Sequence, residues 1–143
     1  MTPPAGPPLG LLLARTSKTV GRAFNAALAE SGGSLPIWLV LVNLRGSAWP
    51  SQLELAHAVG IEGPTLTRHL DAMEKAGLVR RVRDAADRRA FNVELTDAGS
   101  ALHDRLLGVV IAFNRTLQAG ISPAESAALR DLLGRLEANV RET

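Results

Sequence analysis

The sequence contains no cysteine among its 143 residues. This absence excludes a disulfide framework, a thiolate zinc site and a thiol-based redox sensor or nucleophile. A membrane-spanning run of about 20 apolar residues is also missing, because the longest apolar run, residues 35–44, is interrupted by Pro36 and Asn43. The opening stretch MTPPAGPPLG has four prolines and no basic residue, so it matches neither a signal peptide nor a transit peptide. We therefore expect a cytoplasmic protein without a membrane segment.

Catalytic and metal-binding patterns are missing as well. The three histidines, His57, His69 and His103, do not form a His-x-x-x-His pair, and no Gly-rich phosphate loop is present. His103 and Asp104 lie on a long amphipathic pattern, where we interpret them as a solvated pair. The sequence thus predicts no catalytic residue, no metal site and no cofactor.

Positive charge is concentrated in one part of the chain. The formal net charge is only +2, which by itself is too small to indicate nucleic acid. Between Lys75 and Arg89, however, six basic residues stand against two acidic ones, which gives this window a charge of +4. The rest of the chain is therefore slightly negative, and an anion-binding face is predicted within residues 75–89.

Residues 51–60 read as a short helix that begins at a capping box. The hydroxyl of Ser51 is expected to accept from an amide one turn later, while the Glu54 carboxylate reaches back to the amide of Ser51. Leu53 and Ala56 are predicted to point inward, with Leu55 and Val59 as further candidates for the core. Gly60 ends this helix because glycine adopts a positive φ without steric cost.

A second helix follows a tight turn, and its two faces differ. Glu62 is a candidate cap, and Pro64 is tolerated in the first turn because its missing amide hydrogen costs little there. At about 100° per residue, one side is buried and the opposite side presents charged groups, with Thr65 and His69 near the boundary. The predicted buried residues are Leu66, Leu70 and Met73. The predicted exposed residues are Pro64, Arg68, Asp71 and Lys75, flanked by Thr67 and Ala72.

A β-hairpin is predicted next, because residues 78–83 and 90–95 alternate as strands do, with Phe91, Val93 and Leu95 on one face. The residues between them form a polar, cationic tip. Asp84 and Asp87 also suit turn chemistry, which is the alternative interpretation of their position.

The flanking segments are predicted to be long helices at residues 9–31, 34–44, 97–120 and 122–141. Ser34, Thr96 and Ser122 are their expected caps, and Ser122 with Glu125 forms a second capping box. Residues 35–44 are apolar nearly all round, which favours a helix in the middle of the core. The predicted inward stripes are Leu9, Leu13, Val20, Phe24 and Leu28; Ala98, Leu102, Leu106, Val109, Phe113 and Leu117; and Leu129, Leu132, Leu133, Leu136 and Val140.

The predicted fold is mainly α with a small β-hairpin, a winged helix-turn-helix joined to helices that pair two copies. Residues 1–8 are a Pro-rich tail, 9–33 and 100–143 a helical dimerisation region, and 34–99 the winged module, all within one structural domain. A helix fits the major groove of DNA, where Arg68 is the best candidate to pair both acceptors of a guanine. Thr65 and Thr67 can reach phosphate or a thymine methyl, and the hairpin tip can reach the minor groove. Modules with this geometry that bind only proteins are the alternative, and the carboxylates of Glu62 and Asp71 count against a phosphate contact.

The run AGLVRRVRDAADRRAFNVELTDAG, residues 76–99, resembles the MarR family of bacterial transcription regulators, as do Glu54-Leu55-Ala56, Val59-Gly60-Ile61 and Thr65-Leu66-Thr67-Arg68. The resemblance implies a homodimeric, ligand-responsive repressor of a pseudo-palindromic operator, with a recognition helix at about residues 63–76. It also implies that Asp87 orients Arg89, which enters the minor groove. Effectors of this family are often phenolic or anionic. Glu62 and Gly63 depart from the usual pattern, and the absence of cysteine removes the peroxide-sensing branch.

Three sets of site residues are therefore predicted. The recognition-helix set is Pro64, Thr65, Thr67, Arg68, His69 and Lys75. The wing set is Arg81, Arg83, Asp87, Arg88 and Arg89. The effector-pocket set is Trp38, Trp49 and His57, for which core packing is the alternative role.

Overall fold

A computed structural model describes residues 1–3, 5–45, 51–83, 85–86 and 91–141 of the chain. Over these residues the structure contains six helices and one two-stranded antiparallel hairpin, which confirms the predicted fold class. The elements are α1 Leu9–Ala29, α2 Leu35–Leu44, α3 Gln52–Val59, α4 Gly63–Lys75, β1 Val79–Arg83, β2 Phe91–Leu95, α5 Asp97–Leu117 and α6 Pro123–Arg141. No helix in these ranges is long and apolar enough to cross a membrane. The chain forms two compact units, residues 1–110 and 111–143.

Helix α2 lies at the centre of the first unit. The Ser34 hydroxyl accepts a hydrogen bond from the amide of Ile37 at 3.3 Å, as the predicted cap requires. The helix contacts α1, α3, α4 and β2, so the prediction of a core helix is confirmed. The buried apolar residues of this core are Leu28, Trp38, Val40, Leu41, Leu44, Leu55, Ala56, Val59, Leu66, Leu70, Met73, Val79, Val93, Leu102 and Leu106.

Helix α3 has the predicted bounds, but among the described residues only the Ser51 half of the predicted capping box is formed, and one of the inward residues was assigned to the wrong face. The Ser51 hydroxyl accepts from the amide of Glu54 at 3.2 Å, and Gly60 ends the helix at φ +80°. Leu53 was predicted to point inward but is 77% exposed. The buried face is formed by Leu55, Ala56 and Val59, and on a helix that advances about 100° per residue Leu53 lies well outside this face.

The start of α4 also differs in one detail from the prediction. Glu62 occupies the N-cap position, yet its side chain makes no capping hydrogen bond. A glutamate side chain is longer than the Ser, Thr, Asp or Asn side chains that reach the N2 and N3 amides from this position. Pro64 stands in the first turn, as predicted.

Hydrogen bonds of Thr96 connect the end of the hairpin to α5 and to the turn after α4. Its register pairs Val79 with Leu95 and Arg81 with Val93. The hydroxyl of Thr96 accepts from the amide of Gly99 at 3.0 Å and donates to the carbonyl of Gly77 at 2.5 Å. The cap of α5 therefore also holds the turn that follows α4. The predicted turn at residues 46–50 and most of the predicted hairpin tip, residues 84 and 87–89, lie outside the described residues.

Helix α5 presents a glycine to the core where an alanine was expected. Ala98 was predicted to point inward but is exposed, whereas Gly99 is buried. A Cβ at position 99 would lie 2.0 Å from the carbonyl oxygen of Leu78. The helix approaches the chain so closely here that only a residue without a side chain fits. Leu102 and Leu106 of the predicted stripe are buried, as expected.

The second unit contains the end of α5 and all of α6. The predicted capping box is complete, because the Ser122 hydroxyl accepts from the amide of Glu125 at 3.1 Å and the Glu125 carboxylate accepts from the amide of Ser122 at 3.0 Å. Nevertheless, none of the residues of α6 is buried. The prediction that its apolar stripe points into the core was therefore wrong for the described residues of the single chain, in which the leucines of the stripe are 39 to 50% exposed. The exposed stripe consists of Leu129, Leu132, Leu133, Leu136 and Val140.

Candidate nucleic-acid interface

Helix α4 has one fully packed side and one side directed to solvent. Leu66 and Leu70 have no exposed surface, and Met73 retains only 2%. On the opposite side, Arg68 and Lys75 are exposed, together with Pro64 and Asp71. This distribution confirms the two faces that the apolar spacing predicted. The packed side fixes the helix on the core and leaves the polar side accessible over its whole length.

The two exposed cations of α4 differ from most other cations of the winged module. Within the part of the chain that the structure describes, neither Arg68 nor Lys75 forms an ion pair or a side-chain hydrogen bond. No carboxylate of the described residues compensates their charges. An anionic partner would therefore not have to displace an existing contact before binding these two groups.

The residues at the boundary of α4 are already engaged with the protein. Thr65, Thr67 and His69 are all half-buried. The Thr67 hydroxyl donates to the carbonyl of Gly63 at 3.0 Å and accepts from the Gln52 amide at 3.4 Å. Because its hydrogen is used within the helix, Thr67 retains only acceptor capacity and methyl contacts towards a partner.

The wing residues that the structure describes have distinct surroundings. Arg80 lies 3.7 Å from Glu94 on the neighbouring strand. The Arg83 guanidinium lies 5.5 Å from the centre of the Phe91 ring, a distance at which a cation attracts the ring face. Both arginines contact only hairpin residues in these pairs, and both side chains are exposed at the surface of the hairpin. The predicted wing residues Asp87, Arg88 and Arg89 lie outside the described residues.

Arg81 was predicted as a wing contact, but its side chain is 16% exposed and surrounded by acceptors. Its Nε donates to Oε1 of Gln52 at 2.7 Å, and its Nη2 lies 2.8 Å from Oδ1 of Asp71. Its Nη1 lies 3.2 Å from Oε1 of Glu74, and its main-chain amide donates to Oε2 of the same residue at 3.1 Å. The sequence prediction did not include Gln52 or Glu74. The sequence feature that could have indicated these contacts is the position of Arg81, the third residue of β1, which is the next element after α4.

The predicted effector-pocket residues have separate surroundings. Trp38 is 7% exposed and belongs to the core, where its ring stacks on His103 with centroids 5.3 Å apart. His57 is exposed on α3, and Trp49 lies outside the described residues. A cavity of about 120 Å³ is found elsewhere, and neither Trp38 nor His57 lines it. Its lining residues are Ser34, Ile37, His69, Ala72, Met73, Ala76 and Leu78.

The interpretation of His103 and Asp104 as a solvated pair was wrong for the histidine. His103 is only 6% exposed because Trp38 covers one face of its ring. Its Nδ1 lies 3.0 Å from Oδ1 of Asp104, which also lies 3.2 Å from Nη2 of Arg45. The hydrogen bond to His103, followed by the charge of Arg45, lowers the pKa of the Asp104 carboxyl. These groups form a polar contact between α5 and the end of α2.

Comparison with known proteins assigns this arrangement to a family. The MarR family profile matches residues 34–91, which include α2, α3, α4 and β1. The chain is 34% identical over 128 residues to the HTH-type transcriptional regulator PecS of Dickeya dadantii (strain 3937), covering 87% of this chain and 77% of PecS.

Two solved structures extend the similarity to nearly the whole chain. The transcriptional regulator PA3341 shares 37% identity, with a TM-score of 0.79, over 95% of this chain and 100% of that one. The transcriptional repressor CouR, bound to a 23-mer DNA duplex, shares 29% identity, with a TM-score of 0.84, over 91% of this chain and 92% of that one. The packed α4, the hairpin after it and these similarities lead to one conclusion: the chain belongs to the MarR family of transcription regulators.

Proposed function

We propose that the chain is a sequence-specific, double-stranded DNA-binding transcription regulator that acts as a homodimeric, ligand-responsive repressor in the cytoplasm. The observation that carries this proposal is the solvent side of α4, where Arg68 and Lys75 stand exposed above a fully buried apolar stripe. CouR, whose structure was solved on a DNA duplex, is similar to this chain over 91% of its length. We assign the chain no catalytic activity.

In the proposed complex α4 enters the major groove. The Arg68 guanidinium is suited to the two acceptors of a guanine, because its donors form a planar fork. Lys75 is suited to a phosphate as a point charge, and Thr65 is near enough to the exposed side to contact the backbone. The hairpin would then reach the neighbouring minor groove with Arg83, Arg88 and Arg89, and Asp87 would orient Arg89.

The proposed homodimer is supported by apolar surface at both ends of the chain. On α1, Leu9 is 69% exposed and Leu12 is 46% exposed. On α6, Leu129 and Leu132 are both 50% exposed. Burial of apolar surface is worth about 25 cal/mol per Å², so stripes of this length favour association. A second copy would supply a matching stripe and a second recognition helix.

The proposed effector is a small phenolic or anionic molecule. Trp38 already packs against His103, which leaves it little surface for a ligand. The cavity of about 120 Å³ beside α4 is lined by His69 and Ser34 and is otherwise apolar. A dry cavity of about 150 Å³ accommodates benzene in another protein, so this cavity has room for about one aromatic ring.

The proposal is tested by selecting duplexes from a random DNA library with the purified chain and measuring their affinity at several salt concentrations. A dimer that makes about six phosphate contacts should lose roughly a thousandfold in affinity between about 50 and 200 mM salt. The selected sequences should contain two inverted half-sites. A chain that enriches no duplex, or whose weak binding does not depend on salt, would instead be a winged-helix module for protein partners. The carboxylates of Glu62 and Asp71 make that second outcome worth testing.

A further inference from the structure

Arg81 belongs to the hairpin, yet its side-chain partners among the described residues all lie on helices. Asp71 and Glu74 are on α4, and Gln52 is on α3. The guanidinium uses all three of its nitrogens for these contacts, at distances of 2.7 to 3.2 Å. A planar guanidinium held at several points has a fixed direction, whereas a single exposed ion pair contributes little. The contacts therefore fix the hairpin against α4.

The network continues to the first turn of α4. Gln52 accepts from Arg81 through Oε1 and donates from Nε2 to the hydroxyl of Thr67 at 3.4 Å. That hydroxyl donates in turn to the carbonyl of Gly63 at 3.0 Å. The hydrogen-bonded chain thus joins β1 to both the beginning and the end of the helix that we place in the major groove.

The same contacts change the electrostatics of that helix. Asp71 and Glu74 are 61% and 43% exposed, on the helix that would face phosphates. Two carboxylates in this position would repel DNA. The Arg81 charge, 2.8 and 3.2 Å from their oxygens, compensates part of their charge. A guanidinium held by carboxylates is at the same time less available to a phosphate.

We propose, building on the proposed function, that Arg81 is a positioning residue and does not contact DNA. With Asp71 and Glu74 it holds the wing at a fixed angle to the recognition helix, so that both can reach their grooves together. Sequence discrimination then depends on two acidic residues of the recognition helix. This consequence is opposite to the one expected from charge alone, because removal of acidic groups normally strengthens binding to DNA.

The decisive experiment compares Asp71→Ala/Glu74→Ala with Glu62→Ala/Glu94→Gln. Each double variant removes two carboxylates, but only the first removes partners of Arg81. The probes are the best duplex selected by the wild-type chain and a shuffled duplex of the same composition. Asp71→Ala/Glu74→Ala is expected to bind the shuffled duplex more tightly and the selected one more weakly, so that discrimination falls at least about tenfold. The control is expected to tighten both and to keep the wild-type ratio.

A second pair of variants separates positioning from direct binding of DNA. Arg81→Met and Arg80→Met remove the same charge from neighbouring residues of one strand, but the Arg80 partner Glu94 lies within the hairpin. If Arg81 bound a phosphate directly, its replacement by methionine would remove one contact from each copy of the dimer and would reduce the salt slope by about 1.8. A positioning role predicts that Arg81→Met keeps the slope and loses discrimination, while Arg80→Met keeps its discrimination. Arg81→Lys, which retains the charge without the fork, is expected to lose discrimination as well.

Each result distinguishes this inference from the proposed function. If the wild-type chain does not discriminate between the two duplexes, the proposed function fails. If it discriminates and Asp71→Ala/Glu74→Ala does so equally well, the positioning role of Arg81 is overturned. Thermal unfolding of every variant is followed by circular dichroism, and if Arg81→Met is unfolded the two carboxylate double variants decide the question.

Discussion

Helices α4 and α6 have the same kind of apolar spacing, but the apolar stripe of α4 is buried within the chain and that of α6 is exposed. On α4, Leu66 and Leu70 are fully buried against the core of the first unit. On α6, Leu132 and Leu136 are 50% and 39% exposed. Both helices begin with a proline in the first turn and both have leucines at helical spacing. The spacing therefore predicts the apolar face of a helix, but it does not predict what covers that face.

The comparison also separates two kinds of stability. The stripe of α4 stabilises the fold of a single chain, because its leucines are covered by residues of the same chain. Under the proposed function the stripe of α6 stabilises the association of two chains. Substitutions on the two helices should consequently change different measured quantities.

The largest effect is expected from Leu70→Ala in α4. Removal of a fully buried leucine side chain leaves a cavity, and the free energy of unfolding should fall by about 2–5 kcal/mol. Urea denaturation measures this loss. The control is Leu53→Ala, at a position that is 77% exposed, where the change should stay within about 0.5 kcal/mol. Equal losses at the two positions would contradict the packing described for α3 and α4.

A smaller loss is expected from Gly99→Ala in α5, where the added Cβ would lie 2.0 Å from the Leu78 carbonyl oxygen. Relief of this clash requires the helix to move away from the turn between α4 and β1, at a cost of about 1–3 kcal/mol. The matched control is Gly108→Ala in the same helix, because a Cβ there meets nothing within 4 Å. That control should be neutral or stabilising by about 0.5–1 kcal/mol. Urea denaturation of the two variants measures the difference.

A charged residue in the α6 stripe tests whether this stripe stabilises the association of two chains. Leu132→Asp should weaken self-association by about 2 kcal/mol, roughly thirtyfold in the dissociation constant, because a carboxylate would have to be buried between the two copies. Sedimentation equilibrium measures this shift. Ala138→Asp, on the polar side of the same helix, should leave the association unchanged. A wild-type chain that is monomeric at all accessible concentrations would refute the role given to this stripe.

The smallest effect is expected from acid at the start of α6. Hydrogen bonds from the main-chain amide and then the side chain of Ser122 lower the pKa of Glu125 below its ordinary value of 4.5. Since this pKa is lower in the folded state, the carboxylate contributes stability above pH 4.5, and the contribution is lost as pH falls through the lowered pKa. The difference in Tm between the wild type and Glu125→Gln should therefore shrink as the pH falls below 4.5. A difference that does not depend on pH would contradict the capping role of the carboxylate.

Local chemistry explains which features could be predicted from the sequence. The caps at Ser34, Ser51 and Ser122 depend on atoms within one helical turn, and the buried face of α4 depends on spacing along one helix. These features are therefore encoded in a few neighbouring residues. All of them agree with the structure, as does the order of helices and strands.

The features that the sequence prediction missed depend on elements distant in the chain. Gly99 is buried in place of Ala98 because of the position of Leu78, and His103 is buried because of Trp38. Arg81 resembles any exposed wing cation until Asp71, Glu74 and Gln52 are placed around it. Tertiary contacts of this kind assign a role to a side chain that its own neighbours do not specify.

The central claim is that two copies of the chain place their α4 helices in successive major grooves on the same face of the DNA. Hydroxyl-radical footprinting on a selected duplex tests this claim most directly. We expect two protected stretches, centred about 10 base pairs apart and related by inversion. A single protected stretch, or uniform protection along the duplex, would contradict the claim.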